Sequence, residues 1–450
     1  MYGCCEIFVP FVTTCYLSAM ATTLEISSAS ESRPELAPIR VERLEISYFR
    51  RFEKLEISFP KEGPVVFVGV NGAGKSTILE AIQLSLSWFT KRLEGALTRG
   101  RYPSESEINS ESSWCFIRIQ VQIGAKSIRW GVGKSKKGFE LDYPNDTQQL
   151  GELTKSWRQA NLKPEGIPDM PIVFYYQVDR SITDIPSRVR KSKLKDSFST
   201  YYRGKDGRSL DFREFFYWFK EQQNIELQEK NNRRNAQLDL VRKAITEIVP
   251  SFSNPRVINR RNKFVVDQDV NGKVKEVFID QMSDGERTLF TLVADIARRG
   301  ALALNEREGI ELEDVFGIVL IDEIELHLHP TWQSTIMARL QATFPCVQFI
   351  VTTHSPAILT NIKNENSMSL KGGKLFSPIS YGRTSDALLE QVFESPISAA
   401  EIELIFKDID AAINNGDNKI AKQKLEELRL LVPDDERLAA AEIALWSPKI

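Results

Sequence analysis

The 450-residue chain carries 59 Lys and Arg against 61 Asp and Glu, a formal charge of −2, with 42% hydrophobic and 27% charged residues. That composition suits an ordinary globular protein with one large or two medium domains, each long enough to bury a core. It excludes a global basic field for nucleic acid, and no apolar run reaches the ~18–20 residues of a membrane span.

Three of the five cysteines, Cys4, Cys5 and Cys15, lie in the first fifteen residues. This segment has an apolar middle and a small-residue end, but no Lys or Arg before Arg33, so the basic start of a signal peptide is missing. Residues 1–37 are expected to be a disordered extension, with Met20 an alternative start. Cys115 and Cys346 stand alone in apolar runs, which is neither a disulfide framework nor a zinc spacing and suits the cytoplasm.

"IRVERLEISYFRRFEKLEISF" (39–59) alternates at period two and predicts two strands around a turn at Arg50–Glu53. "PVVFV" (64–68) reads as a short buried strand, followed by the loop "GVNGAGKST" and the helix "ILEAIQLSLSWFTKRL". After a polar stretch at 100–113, "WCFIRIQVQI", "SIRWGVG" and "GFELDY" predict an antiparallel meander. A helix near 146–160 and the strand "PIVFYY" (171–176) come next.

Residues 186–208 hold eight Lys or Arg against two Asp, interleaved with Phe198, Tyr201 and Tyr202. Such a stretch tracks a nucleic-acid backbone or is a solvated loop, and the sequence leaves both open. Residues 211–249 are helical throughout, as one long helix or a pair. A hairpin with Asn271-Gly272 at its turn precedes "DQMSDGERTL" (280–289) and a helix over 284–304. Then follow "FGIVLIDE" (316–323), another helix, "VQFIVTTH" (347–354), and a helical tail from about 398. The tail loosely resembles one tetratricopeptide unit, too few for a solenoid. Its stripe of Ile402, Ile405, Phe406, Ile409 and Ile413 is either internal core or a docking face for a partner.

Gly69-x4-Gly74-Lys75-Ser76 fits the phosphate-loop pattern between a strand and a helix. The backbone of Gly69, Asn71, Gly72, Ala73 and Gly74 can turn its N–H groups inward around phosphates, at the N-terminus of the helix that Thr77 continues. Lys75 is placed for the β and γ phosphates of ATP, and Ser76 for Mg²⁺. Asp322 and Glu323 end an apolar strand, the usual position for a Mg²⁺ carboxylate and a general base beside a nucleotide. His354 ends the next apolar strand and is expected to sense the γ-phosphate. Gln177 follows "PIVFYY"; it reads either as a contact to metal and attacking water or as a plain loop glutamine. His327 and His329 have metal-like spacing without a third ligand, and read as loop and helix-cap residues.

The order of these pieces resembles the ATP-binding-cassette ATPases: phosphate loop, Gln177, Ser-x-Gly-Glu before a helix, Asp322-Glu323, His354. The resemblance covers roughly residues 40–360 and implies that Ser283, Asp284, Gly285 and Glu286 dock on a nucleotide held by a second copy, giving a homodimer or higher homo-oligomer. Met282 stands where leucine is common. The "YFRRF" segment ahead of the phosphate loop is similar to the soluble branch of chromosome-maintenance, recombination-mediator and phage-exclusion ATPases. There, an arginine in the "FR" position approaches nucleotide, which makes Arg50 a candidate; a solvated turn arginine is the other reading. "NGAGKSTILEAIQLSLSWF", "VFYYQVDRSITDIPSR", "IDEIELHLHPTWQ" and "SYGRTSDALLEQVFES" look closest to the ATPase subunits of the Septu anti-phage system and of related retron-linked modules. The departures are the long Cys-bearing N-terminus and Gln177.

The expected fold class is therefore α/β: an ABC-type P-loop ATPase head with a mixed sheet, an antiparallel β subdomain and a helical subdomain, plus a C-terminal helical tail. The head spans 38–365 with a basic and helical insertion at 186–250, and 366–450 is a mainly helical region for partner docking. The resemblance implies ATP and Mg²⁺ as cofactors, a separately encoded HNH endonuclease as partner, DNA as a further candidate, and no membrane. No nuclease active site is expected in this chain. The rivals are a DNA-binding clamp of the recombination-mediator kind and a self-sufficient nuclease.

Overall fold

A computed structural model describes residues 39–95, 98–161, 169–178, 212–228, 234–270, 272–304, 309–378, 381–382, 388, 399–415, 417–431, 438, 441–442 and 445. The expectations for 1–37, for the basic stretch 186–208, for Asn271 and for the Ile402 side chain lie outside the described residues.

The chain begins as β1 (Ile39–Phe49) and β2 (Phe52–Ser58), whose Phe49–Phe52 pairing leaves the two-residue turn Arg50–Arg51, tighter than the sequence suggests. After β3 (Val65–Val68) comes α1 (Lys75–Glu94), then β4 (Trp114–Ile123), β5 (Lys126–Ser135), α2 (Gln148–Asn161) and β6 (Ile172–Tyr176). Next are α3 (Phe212–Gln228), α4 (Ala236–Ile248), β7 (Phe252–Ile258), β8 (Lys263–Val270), β9 (Lys273–Phe278) and α5 (Asp284–Ala303). The remainder holds β10 (Gly317–Ile321), α6 (Ile336–Thr343), β11 (Val347–Thr353), β12 (Ser367–Lys371), β13 (Lys374–Phe376), α7 (Ala399–Asn415) and α8 (Asn418–Leu431).

Three sheets organise these strands: β2-β1-β4-β5, β13-β12-β3-β11-β10-β6 and β7-β8-β9. In the six-stranded sheet, β3, β10 and β11 are buried at every position, so their near-continuous apolar runs form parallel central strands covered on both faces. β1 and β4 instead bury alternate residues, such as Leu44 and Ile46 or Ile117 and Ile119, and form an antiparallel layer on the same core. Part of this core is aromatic. Phe290 of α5 lies 5.3 Å from Phe264 of β8 and 6.0 Å from Phe215 of α3 (ring centroids), which fixes the helix that Ser283 starts. Burying each such ring contributes about 1.5–3 kcal/mol.

The structure departs from the sequence reading at three places and decides one alternative. "GFELDY" is not a strand; the chain returns through bends at Asp142 and Tyr143, held by Asn145 Oδ1 accepting from Gly133 N–H at 2.6 Å and by a Gly131–Asp146 bridge. β7 was not expected: Pro255 and a register shift between Ser253 and Arg256 hide its alternation. Of the two readings for 211–249 the structure has the helical pair, Phe212–Gln228 and Ala236–Ile248, with the Asn235 side chain capping α4 by accepting from Leu238 N–H at 3.0 Å. Finally, β12 pairs in parallel with β3, so the head's sheet runs past the expected boundary at 365. In the tail, Ile405, Phe406, Ile409 and Ile413 pack with Leu425, Leu428, Leu438 and Ala441 into a small cluster apart from the main core. Among the described residues no helix is long and apolar enough to cross a membrane.

Candidate active site

Parallel register carries four loops to one edge of the central sheet. Val68 pairs with Thr353, and Ile321 pairs with both Val351 and Tyr176. The chain therefore leaves at 69, 354, 322 and 177 side by side, at the carboxyl ends where open α/β sheets bind ligands.

The phosphate loop is shaped by backbone that other residues resist. Gly69, Gly72 and Gly74 have φ of 150°, 74° and 112°. A Cβ on Gly74 would stand 2.6 Å from Phe52 Cζ, and one on Gly69 would stand 2.7 Å from Leu370 O. Gly74 caps α1, and Asn71, Ala73, Ser76 and Thr77 continue the loop into the helix, Ser76 exposed at its start. Lys75 folds back into the loop, its Nζ donating to Gly69 O at 2.8 Å and Val70 O at 3.1 Å. Burial lowers its pKa to about 8, against the opposing pull of Asp322, Glu323 and Glu325.

Asp322 is buried at the end of β10, where Thr352 Oγ1 donates to its carboxylate and Tyr175 OH approaches at 3.4 Å. Thr352 Oγ1 also accepts from Glu323 N–H at 2.7 Å, so one hydroxyl holds both acids in register. Glu323 has φ 48°, a left-handed conformation rare outside glycine, which turns its side chain out of the strand's alternation. Its Oε1 lies 3.9 Å from His354 Nε2. His354 N–H donates to Glu325 Oε1, and the imidazole's pKa is lowered by burial and then by the Lys75 charge. At neutral pH His354 is thus a neutral hydrogen-bonding group. Gln177 is half-buried just beyond Tyr176, whose carbonyl accepts from Asp322 N–H at 2.8 Å.

Lys75, Asp322, Glu323 and His354 meet as the sequence predicts. Three further residues were missed: Thr352, Glu325 and Tyr175. Only Thr352 left a signal, as part of two threonines ending an otherwise apolar strand. Arg50 reads from the sequence as a nucleotide contact or a solvated turn arginine. Its guanidinium is ion-paired with Glu80 and with Glu107 (2.9 Å), directed at α1 and the 105–107 turn. His329 caps a short helix, its Nδ1 accepting from Thr331 N–H at 3.4 Å, and His327 sits in a loop with φ 67°.

The segment Ser283–Glu286 closes on itself. Ser283 Oγ accepts from Glu286 N–H at 3.3 Å, while Glu286 Oε2 accepts from Ser283 N–H at 3.0 Å and Oγ at 2.8 Å: a capping box. Arg287 pairs with Asp284 at 2.7 Å. A Cβ on Gly285 would fall 2.5 Å from His327 O, so this glycine is required by local packing. Among the described residues no hydrogen bond or ion pair joins 283–286 to 69–77.

The oxygens that could hold a metal at this edge are the Ser76 hydroxyl, the Asp322 carboxylate and the Gln177 amide oxygen. Among the described residues no group of three His, Cys, Asp or Glu is set to hold a metal. Few protein oxygens, completed by phosphate and water, is the pattern of a magnesium nucleotide rather than of an all-protein cage.

The family described as "AAA domain, putative AbiEii toxin, Type IV TA system" matches residues 65–360. The chain belongs to this family. The matched span of this AAA-domain ATPase runs from β3 through His354 and so contains the converging loops. The chain is 30% identical over 446 residues to "Retron Vc95 probable ATPase" of Vibrio cholerae, covering 86% of each protein. It is 28% identical over 431 residues to "Retron Ec83 probable ATPase" of Escherichia coli, covering 81% of this chain and 78% of that one. Similarity to "Septu protein PtuA" of Bacillus mycoides is 25% over 329 residues, 72% of this chain but 39% of that protein. The retron and Septu relatives agree with the resemblance drawn from the motifs.

Proposed function

We propose that this AAA-domain protein binds ATP with Mg²⁺, dimerises around it, and by hydrolysing it controls a separately encoded HNH endonuclease in cytoplasmic anti-phage defence. The observation that carries the hydrolytic part is the approach of Glu323 to His354 beside a buried Lys75, at the mouth of a glycine loop. Lys75 neutralises charge on the terminal phosphates when it leaves the carbonyls of Gly69 and Val70. Glu323, fixed by Thr352, accepts the proton of the attacking water, and neutral His354 orients the γ-phosphate oxygens. Bound Mg²⁺ would supply charge neutralisation, held through Ser76, Asp322 and Gln177.

Dimerisation is supported by the Ser283 segment, which presents a helix N-terminus and, among the described residues, makes no hydrogen bond or ion pair with its own chain's phosphate loop. The defence role is supported by the retron and Septu relatives named above, and the HNH endonuclease partner by the motif resemblance alone. Glu323→Gln, which keeps the shape and removes the base, should trap ATP. Sedimentation of this variant with ATP and Mg²⁺ should give a dimer carrying two nucleotides. A species that stays monomeric while saturated with ATP refutes the sharing of sites. Expression beside its genomic neighbours should co-purify an HNH endonuclease; a stable complex with a different effector refutes that partner.

A further inference from the structure

Two adjacent arginines fill the β1–β2 turn, and their surroundings differ. Arg50 is held by Glu80 and Glu107. Arg51 is exposed and makes no hydrogen bond or ion pair among the described residues. Its stem lies along the phosphate loop: Cδ is 2.7 Å from the point where a Gly74 Cβ would stand, and Nη1 is 4.0 Å from the equivalent point at Gly72. With Asn71, Gly72 and the turn Leu370-Lys371-Gly372, Arg51 lines a recess on that loop.

We propose that Arg51 is a nucleotide-binding residue that grips the polyphosphate from outside the glycine loop, while Lys75 grips it from inside. The inference rests on the ATP reading above. Several observations favour phosphate as the ligand. A guanidinium offers five donors in a rigid fork matched to phosphate oxygens, and here no carboxylate has to be released first. The glycines bring backbone N–H groups close to it, so cation and amides share one small volume. The recess has no aromatic ring among its described lining residues to stack a base, which places the contact on phosphate rather than adenine. Gly74 acquires a second reason to be glycine: a side chain there would take the space of the Arg51 stem.

The test measures binding of ATP, ADP and AMP to wild type, Arg51→Ala, Arg51→Lys and Arg50→Ala, with thermal melting of each. Losing one charge-assisted phosphate contact should weaken ATP and ADP roughly 10- to 100-fold in Arg51→Ala, with AMP affected far less. Arg51→Lys should recover part of the loss. Arg50→Ala should lower the melting temperature and change ATP affinity less than Arg51→Ala does. Wild-type ATP affinity in Arg51→Ala overturns the proposal, as does an equal loss for AMP. Failure of the wild-type protein to bind ATP would instead overturn the function on which it rests.

Discussion

Tyr175 and Tyr176 are neighbours on β6, point to opposite sides of the sheet, and serve two charged clusters of opposite character. Tyr176 OH donates to Asp295 at 2.9 Å, and the same carboxylate accepts from Arg298 at 2.8 Å and Arg299 at 2.7 Å. Arg299 also stacks on Phe174, 3.4 Å from the ring centre. Burial alone would raise the Asp295 pKa, but the two guanidiniums outweigh it and hold it at about 2. Tyr175 faces the other cluster, where Lys75 donates to the carbonyl oxygens of Gly69 and Val70, Glu323 has a left-handed backbone, and His354 is disfavoured as a cation. One cluster is complete within the chain and fastens α5 to the sheet. In the other, Lys75, Asp322, Glu323 and His354 are gathered at the mouth of a glycine loop, an arrangement into which phosphate and Mg²⁺ would fit. Buried charge therefore marks a candidate site here by its place beside the glycine loop, not by burial alone.

Substitutions should separate the two clusters. Glu323→Gln should cut turnover roughly 10²- to 10⁴-fold in a steady-state phosphate-release assay, the range for a lost general base, with little change in melting temperature. Asp295→Ala should do the reverse in character, costing about 3–5 kcal/mol in urea unfolding because two buried guanidiniums lose their partner. Severe unfolding by the first substitution and none by the second would break the contrast. Asp295 also sets an acid limit. Its folded pKa lies below the ordinary 3.8, so its contribution is present above that value and is lost as pH falls toward 2. Asp295→Asn should flatten that stretch of the stability profile.

Thr352→Val is the intermediate test. It keeps the shape but removes the hydroxyl shared by Asp322 and Glu323, and should cost about 1–3 kcal/mol, with kcat falling more than KM rises. A change in KM alone would show that Thr352 does not position the base. The smallest effect concerns pH. The free-state Lys75 pKa of about 8 should rise when phosphate binds, so ATP binding takes up a proton near and above that pH and weakens as pH rises. Calorimetry in buffers of different ionisation enthalpy reads this uptake, and Lys75→Arg should abolish it.

Much of this contrast was legible in the sequence. The glycine loop and the Asp322-Glu323 pair follow from local rules: strand, loop and helix in immediate succession, and an apolar strand ending in acids. The parallel pairing that brings His354 and Gln177 beside them was readable from fully apolar runs. Arg50 and Arg51 were not separable, because only the tight turn between Phe49 and Phe52 decides which one meets Glu80 and which lies on the glycines. Asp295, Arg298 and Arg299 were not singled out in the sequence; their burial depends on β6, more than a hundred residues away in sequence. β12 was hidden by its two serines, which its parallel partner β3 nevertheless covers.

The central claim is that the nucleotide bound by one copy is completed by Ser283–Glu286 of another. Mixing Lys75→Ala chains with Ser283→Arg chains tests it most directly, by ATP turnover in heterodimers verified by tag capture. Each variant alone should be inactive, and the mixture should regain one working site per heterodimer, about half the wild-type rate per dimer if the two sites work independently. Verified heterodimers with no recovered turnover, or Ser283→Arg chains fully active by themselves, would contradict it.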